Sequence, residues 1–202
     1  MKISKIKADI RKNIRQQRVD LSAAERELFS CKLVQNVLSW EIYKRAGAVM
    51  IYYPMSGEID LLELTRTSGG KRFFMPITGE NFTMTVGEYS GGGLIRGLIR
   101  GSHGIWEPQE SSHDADIDLV LAPAVACDRL GTRLGQGGGY YDRFLRRMKE
   151  SGKSGKNVVF AATVYDFQMM DILPAEPHDM KMDYVVTPSG IFSPQMMKHE
   201  TR

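Results

Sequence analysis

The residues best suited to chemistry lie in one run, Arg133-Leu134-Gly135-Gln136-Gly137-Gly138-Gly139-Tyr140-Tyr141-Asp142. It falls between an apolar strand pattern and a helical pattern. Four glycines in the five positions 135–139 let the backbone approach a ligand closely. The N–H groups of such a loop, with the positive end of the following helix, form an anion site. Arg133 adds a planar donor fork suited to phosphate. The run is neither common phosphate fingerprint. It lacks Gly-x-x-x-x-Gly-Lys followed by Ser or Thr, and Tyr140 stands where Gly-x-Gly-x-x-Gly needs its last glycine. On composition alone, a surface turn explains the glycines as well as phosphate binding does.

Carboxylates and aromatics elsewhere have two roles each. Asp142, in the first helical turn, either complements the helix N-terminus or ligates magnesium, which is often held by one or two carboxylates with phosphate and water. Asp179, in Pro177-His178-Asp179-Met180, is a second carboxylate or a plain loop residue. Glu58 follows Pro54, Ser56 and Gly57 and either binds a polar ligand group or is exposed. Trp106 either stacks on a flat heterocycle or packs at a core edge. Cys127, after an apolar strand, reads as packing rather than as a nucleophile. His103, His113, His178 and His199 have no metal spacing, and only His178 is expected near the site. No Gly-x-Ser-x-Gly is present, which disfavours a serine hydrolase.

The elements that must position these groups follow from periodicity. Ile3, Ile6, Ile10 and Ile14 predict a first amphipathic helix, with Lys7 and Arg11 on one side. Ser22-Ala23-Ala24-Glu25 is a capping-box pattern that starts a second helix. Ala48 to Tyr53 reads as a buried strand ending at Pro54. A short helix over 59–67 and a strand over 72–75 ending at Pro76 follow. Phe82 to Tyr89 has strand character. Residues 90–104, with the tandem Leu94-Ile95-Arg96-Gly97 and Leu98-Ile99-Arg100-Gly101, read as a loop without an assigned function. Asp118 to Pro123 is a further buried strand. Tyr141, Phe144, Leu145 and Met148 mark a helix, 151–156 a polar loop, and 158–164 and 184–187 strands. Strands alternating with helices predict a mostly parallel sheet covered on both faces. Ligands in such sheets sit beyond the carboxyl ends of the strands, which brings 53–58 and 127–142 toward one crevice.

The 202 residues suffice for one domain, and 42% apolar with 25% charged residues exclude disorder and coiled coil. Two distant cysteines, Cys31 and Cys127, fit reduced thiols in a cytoplasmic protein better than a disulfide framework or a zinc site. No signal peptide or membrane span is visible. Residues 2–18 carry seven basic side chains against one acid, Asp9. Such a block binds an anionic ligand or nucleic acid, or is a solvated helix face, the default for most of these charges.

The glycine loop with its Tyr-Tyr-Asp ending resembles the signature of the 5-formyltetrahydrofolate cyclo-ligase, or methenyltetrahydrofolate synthetase, family. The resemblance also covers Lys7 and Arg11, Tyr53 to Glu58, Trp106 to Pro108, Asp118 to Pro123 and the tail from Leu173 to Thr187. It runs in order over nearly the whole chain. It implies a single three-layer α/β/α domain over 1–202, similar to ribose-5-phosphate isomerase and coenzyme A transferases. It further implies conversion of 5-formyltetrahydrofolate and ATP to 5,10-methenyltetrahydrofolate, ADP and phosphate, with Mg²⁺. Lys7, Arg11, Arg133, Leu134 and the loop Gly135, Gln136, Gly137, Gly138, Gly139, Tyr140 and Tyr141 would then bind ATP. Tyr53, Glu58, Trp106, Gln136 and Tyr140 would contact the folate, and Asp142 and Asp179 would serve the metal. Arg133 and Tyr140 would be the catalytic residues.

The chemistry explains the nucleotide. The amide-like formyl oxygen is a poor leaving group until it is phosphorylated by the γ-phosphate. A neighbouring folate nitrogen then closes the ring, and phosphate departs. Positioning and charge neutralisation matter more here than a protein nucleophile. Certain relatives carry Lys where this chain has Gly138, so Lys7, Arg11, Arg133 or Lys181 is expected to take over that charge. A monomer acting on a small reduced folate, with no nucleic-acid or membrane partner, is the expectation. The rivals are an ATP-independent sugar-phosphate isomerase and an RNA-binding module built on the basic helix.

Overall fold

The computed structural model describes residues 2–101, 103–112, 115–151 and 158–194. Of the polar loop expected over 151–156, Ser151 ends a helix; the rest, like His113 and His199, lies outside those residues.

Helix α1 (Ile3–Asp20) leads through Leu21 to α2 (Ala23–Ser39), which starts on the expected capping box. Ser22 Oγ accepts the Glu25 N–H at 3.2 Å, and Glu25 accepts the Ser22 N–H at 2.8 Å. A short α3 (Glu41–Arg45) leads into β1 (Ala48–Met50). Of the helix expected over 59–67, only α4 (Leu64–Thr67) forms.

Strand β2 (Arg72–Thr78) passes through Pro76 rather than ending there. The Phe74 carbonyl accepts from Ile51, so Phe74 faces the β1 side, and Pro76, two residues on, faces the same side. Strand β1 has already ended at that point, so the missing proline N–H breaks no ladder bond. A 3₁₀ turn at Glu80–Phe82 precedes β3 (Met84–Tyr89). The stretch read as a loop over 90–104 contains β4 (Leu98–Arg100), which pairs antiparallel with β5 (Trp106–Pro108). Its alternation is too short to outweigh the surrounding glycines in a sequence reading.

The remaining elements are β6 (Leu119–Pro123), β7 (Ala126–Asp128), β8 (Arg133–Leu134), α5 (Tyr140–Ser151), β9 (Val159–Thr163), β10 (Met169–Met170), β11 (Tyr184–Thr187) and β12 (Gly190–Phe192). The large sheet has the order β12-β11-β9-β6-β1-β2-β3. Its five central strands are parallel, and the two edge strands pair antiparallel. A small sheet, β10-β7-β8, lies beside it.

The alternation of side chains builds the expected three layers. Val49, Ile51, Leu119 and Leu121 join Leu33, Val34, Val37 and Tyr43 from α2 and α3 in one cluster. Met50, Val120, Ala122 and Phe160 join Phe144 and Leu145 of α5 in the other. Strands buried on both faces read as continuous apolar runs, which is why they were legible. Ile10 of α1 packs on Ala126, Leu134 and Leu173 instead, so α1 is fastened to the small sheet.

Candidate active site

Beyond the carboxyl ends of β1, β2 and β6 opens a cavity of about 1160 Å³. That exceeds the ~300–1,000 Å³ usual for one drug-sized ligand. Tyr52, Tyr53, Pro76, Pro123 and Ala124 wall it where these strands end. Strand β1 has β6 on one side and β2 on the other, so the cavity sits where the strand order reverses.

Every residue of the run 133–142 lines this cavity. The glycine loop is pinned by three arginines rather than left as a free turn. Arg11 Nε donates to the Gly135 carbonyl at 2.8 Å, Arg15 Nη2 to Gln136 Oε1 at 2.8 Å, and Arg143 Nη2 to the Gly138 carbonyl at 2.6 Å. Gly137 has φ 115°, a conformation that side chains rarely adopt. Among the described residues, the N–H groups of Gln136, Gly137, Gly138 and Gly139 meet no acceptor. The first turn of α5 adds its own orphan N–H groups. Carbonyls engaged by arginines and amides left open are what a bound phosphate requires.

Arg133 is almost fully buried. Its Nη1 donates to the Pro123 carbonyl at 3.1 Å and its Nη2 to Asp142 Oδ2 at 3.2 Å. The guanidinium also lies 5.3 Å from the centre of the Tyr141 ring. Lys7 is likewise buried, with Nζ at 2.7 Å from both Glu176 Oε2 and Asp179 Oδ2. Burial works to lower the Lys7 pKa, but the hydrogen bonds to Asp179 and Glu176, with their charges, hold it above its ordinary value. Burial works to raise Asp179, and the bonds from Lys7 and the Glu176 N–H outweigh it, so that carboxyl is held below its ordinary value. Burial, and then the charge of Arg15, lower the Arg11 pKa.

Lys7, Arg11 and Arg18 therefore turn inward from α1 while Arg15 stays exposed at the cavity rim, and only part of the basic block is a solvated face. Lys181, one of the cations expected to replace a lysine at Gly138, is instead exposed and donates to Thr132 Oγ1. Arg143, which the sequence reading passed over, stands nearest that position. Its place in the first turn of α5, four residues after Gly139, was the available signal.

The two expected metal carboxylates differ in fit. Asp142 has Oδ2 on Arg133 and Oδ1 accepting the Met180 N–H at 3.3 Å, so its oxygens are engaged within the protein. Asp179 Oδ2 is likewise engaged, accepting from Lys7 and from the Glu176 N–H, but with Glu176 and His178 it also places ligand atoms within 4.8 Å of one another. His178 Nε2 is 3.7 Å from Asp179 Oδ1 and 3.9 Å from Glu176 Oε2. The two carboxylates suit a hard divalent cation better than the imidazole does, and Lys7 Nζ bridges them.

The same cavity carries aromatics beside the loop. Tyr53 and Glu58 line it, whereas Trp106 stands behind Tyr53 at 6.4 Å between ring centres, with Arg100 at 4.5 Å from its own ring centre. Trp106 thus backs the wall rather than forming it. His103, which the sequence reading left away from the site, lines the cavity, and its Nε2 is 2.8 Å from Tyr140 Oη. Phe82 packs edge-on against Tyr140 at 5.7 Å. Its φ of 58° and the 53° of Asn81 are left-handed values that cost about 1–3 kcal/mol each. Arg143 secures that turn by donating to the Phe82 carbonyl at 3.2 Å.

Cys127 is fully buried, and burial pushes its thiol up to about 12, which leaves it packing as expected. Cys31 is exposed, and both thiols are free. Among the described residues no helix is long and apolar enough to cross a membrane.

Known proteins resemble this chain in sequence and fold. The model of the 5-formyltetrahydrofolate cyclo-ligase family matches residues 3–188. The 5-formyltetrahydrofolate cyclo-ligase of Mycolicibacterium smegmatis is 35% identical over 150 residues, covering 69% of this chain and 73% of that protein. The enzyme of the same name from Escherichia coli K12 is 27% identical over 192 residues, covering 89% and 98%. The NMR structure of Aquifex aeolicus 5,10-methenyltetrahydrofolate synthetase aligns with a TM-score of 0.76 at 30% identity, covering 94% of this chain and 93% of that one.

Proposed function

Because this chain belongs to the 5-formyltetrahydrofolate cyclo-ligase family, we propose that its cavity holds ATP and 5-formyltetrahydrofolate together and closes the folate to 5,10-methenyltetrahydrofolate. The observation that carries this reading is the shared wall. Open main-chain amides and three inward cations, Lys7, Arg11 and Arg133, face the same cavity as Tyr53 and Glu58.

The amides of Gln136 to Gly139 and the start of α5 receive the nucleotide's terminal phosphates. Arg133, Lys7 and Arg11 neutralise the charge that gathers on the transferred phosphoryl group. The formyl oxygen attacks the γ-phosphorus, and the bond to the ADP oxygen breaks. The second folate nitrogen then forms its bond to the formyl carbon, the C–O bond breaks, and phosphate leaves as the nitrogen gives up its proton. Tyr140, paired with His103 and covered by Phe82, orients the folate beside the loop, with Gln136. Tyr53 packs on the ring system, and Glu58 accepts from its polar edge.

Asp179 and Glu176, with His178 beside them, would hold magnesium, which would supply charge neutralisation at the phosphates. Asp142 serves that site through Arg133, whose guanidinium it aims.

The test is incubation of purified protein with 5-formyltetrahydrofolate, with and without Mg-ATP. Methenyl product should appear only with the nucleotide. Equal product without ATP overturns the mechanism, and no product under either condition overturns the reading.

A further inference from the structure

A second buried arginine stands behind Glu58, which lines the cavity. Arg18, the last inward residue of α1, is 6% exposed. Its Nη2 donates to the Ala124 carbonyl at 2.5 Å, on the segment that leaves β6. Its Nη1 stands 3.6 Å from Glu58 Oε1. Glu58 Oε2 accepts the Met55 N–H at 3.1 Å.

A separation of 3.6 Å is too long for a hydrogen bond, although the charges still attract strongly in a buried setting. Glu58 Oε1 therefore has a counter-ion beside it, and among the described residues it accepts no hydrogen bond. The separation is built into the backbone. Gly57, at φ +79°, lies so close to α1 that a Cβ there would be 3.3 Å from Arg18 Cβ. The turn carrying Glu58 thus rests on the helix carrying Arg18.

We infer that Arg18 is a positioning residue for the folate. It balances the buried charge of Glu58 and aims the carboxylate into the cavity, while leaving Oε1 open to an N–H of the substrate. A buried carboxylate without a cation is strongly disfavoured. A bidentate arginine would take a lone pair on each oxygen and leave less for a ligand. The observed geometry avoids both outcomes. Through Ala124, Arg18 also fixes the exit of β6 relative to the turn after β1, so one guanidinium ties α1 to two walls of the cavity.

The inference rests on Glu58 as the folate contact proposed above, and the experiment separates the two. Initial rates are measured against 5-formyltetrahydrofolate and against Mg-ATP for wild type, Glu58→Gln, Arg18→Met, Arg18→Lys and the double variant Arg18→Met/Glu58→Gln. Arg18→Met should raise the folate KM about tenfold or more, with the ATP KM within about twofold. Arg18→Lys, which keeps the charge, should recover part of the loss. The double variant should be no worse than Glu58→Gln alone, because the unpaired charge is gone. If Arg18→Met does not fold, the Arg18→Lys pair of KM values and the double variant carry the same test. An unchanged folate KM in both Arg18 variants, or equal rises for folate and ATP, overturns the positioning role while Glu58→Gln still impairs folate binding. An unchanged folate KM in Glu58→Gln overturns the folate assignment of Glu58 and this inference with it.

Discussion

Lys7 Nζ lies 2.7 Å from Asp179 Oδ2, joining residues 172 apart in the sequence. This contact closes the cavity between the first helix and the loop before β11. It also places a residue expected to serve the nucleotide on a residue expected to serve the metal.

The contact has a pH signature. Asp179 is held below its ordinary 3.8, so its stabilising effect is present above that value and is lost as pH falls through the folded pKa. Lys7 is held above its ordinary 10.5, so its share is present below that value and is lost only as pH rises beyond the folded pKa. The difference in Tm between wild type and Lys7→Met should therefore stay flat from about pH 5 to about pH 9 and shrink in acid. Melting curves across that range check it, and a difference that grows in acid would contradict the ion pair.

Arg133 and Asp142 should fail together. Arg133→Ala removes the cation proposed to meet the phosphates and leaves Asp142 without its arginine, whereas Asp142→Asn releases the guanidinium. Arg133→Ala should lower kcat/KM for ATP by about 10²–10³. Asp142→Asn should chiefly weaken Mg-dependent turnover. The double variant should fall short of the product of the two, with a coupling of about 1–3 kcal/mol. Strict additivity would dissolve the pair as a functional unit.

Gly137→Ala isolates backbone conformation from space. A Cβ there would meet Arg11 only at an ordinary 3.7 Å, so the φ of 115° is the main obstacle. Strain of about 1–3 kcal/mol should raise the ATP KM while the folate KM changes little. Isothermal titration with a non-hydrolysable ATP analogue would read this directly; unaltered affinity would mean that the loop amides are not the phosphate cradle.

Tyr53 forms the cavity wall and Trp106 stands behind it. Tyr53→Ala should raise the folate KM several-fold more than Trp106→Phe does, because the first removes the contact and the second only loosens its support. The reverse order would put the indole in contact with substrate.

Leu121 is fully buried in the layer between the sheet and α2. Leu121→Ala should cost about 2–5 kcal/mol in urea unfolding and leave both KM values unchanged. A KM shift with little loss of stability would mean that this layer is coupled to the site.

Much of the fold was legible because its central strands are buried on both faces. Val49, Met50 and Ile51, or Leu119, Val120 and Leu121, need no partner to announce a parallel strand. The capping box at Ser22 is a four-residue signal and formed as read. Elements whose stability comes from their neighbours were harder to see. The β4–β5 hairpin hides among glycines, and β2 continues through Pro76 only because β1 has already ended. Within the site, the glycine loop, Arg133, Lys7 and Glu58 could be named from the sequence. Arg15 and Arg18 could not, because a charged residue on a helix looks solvated until the facing surface is known, and His103 sits in the turn between β4 and β5, where no periodicity points to the site.

The sequence by itself determined the layered α/β architecture, the amide-rich loop and the residue types that meet a phosphate, since periodicity and glycine content are local properties. Only the tertiary structure decided which charges pair. Lys7 on Asp179 and Arg18 beside Glu58 join segments far apart in the chain, and these partnerships depend on where α1 docks. That docking is set by packing on the small sheet, and no local pattern in α1 encodes it.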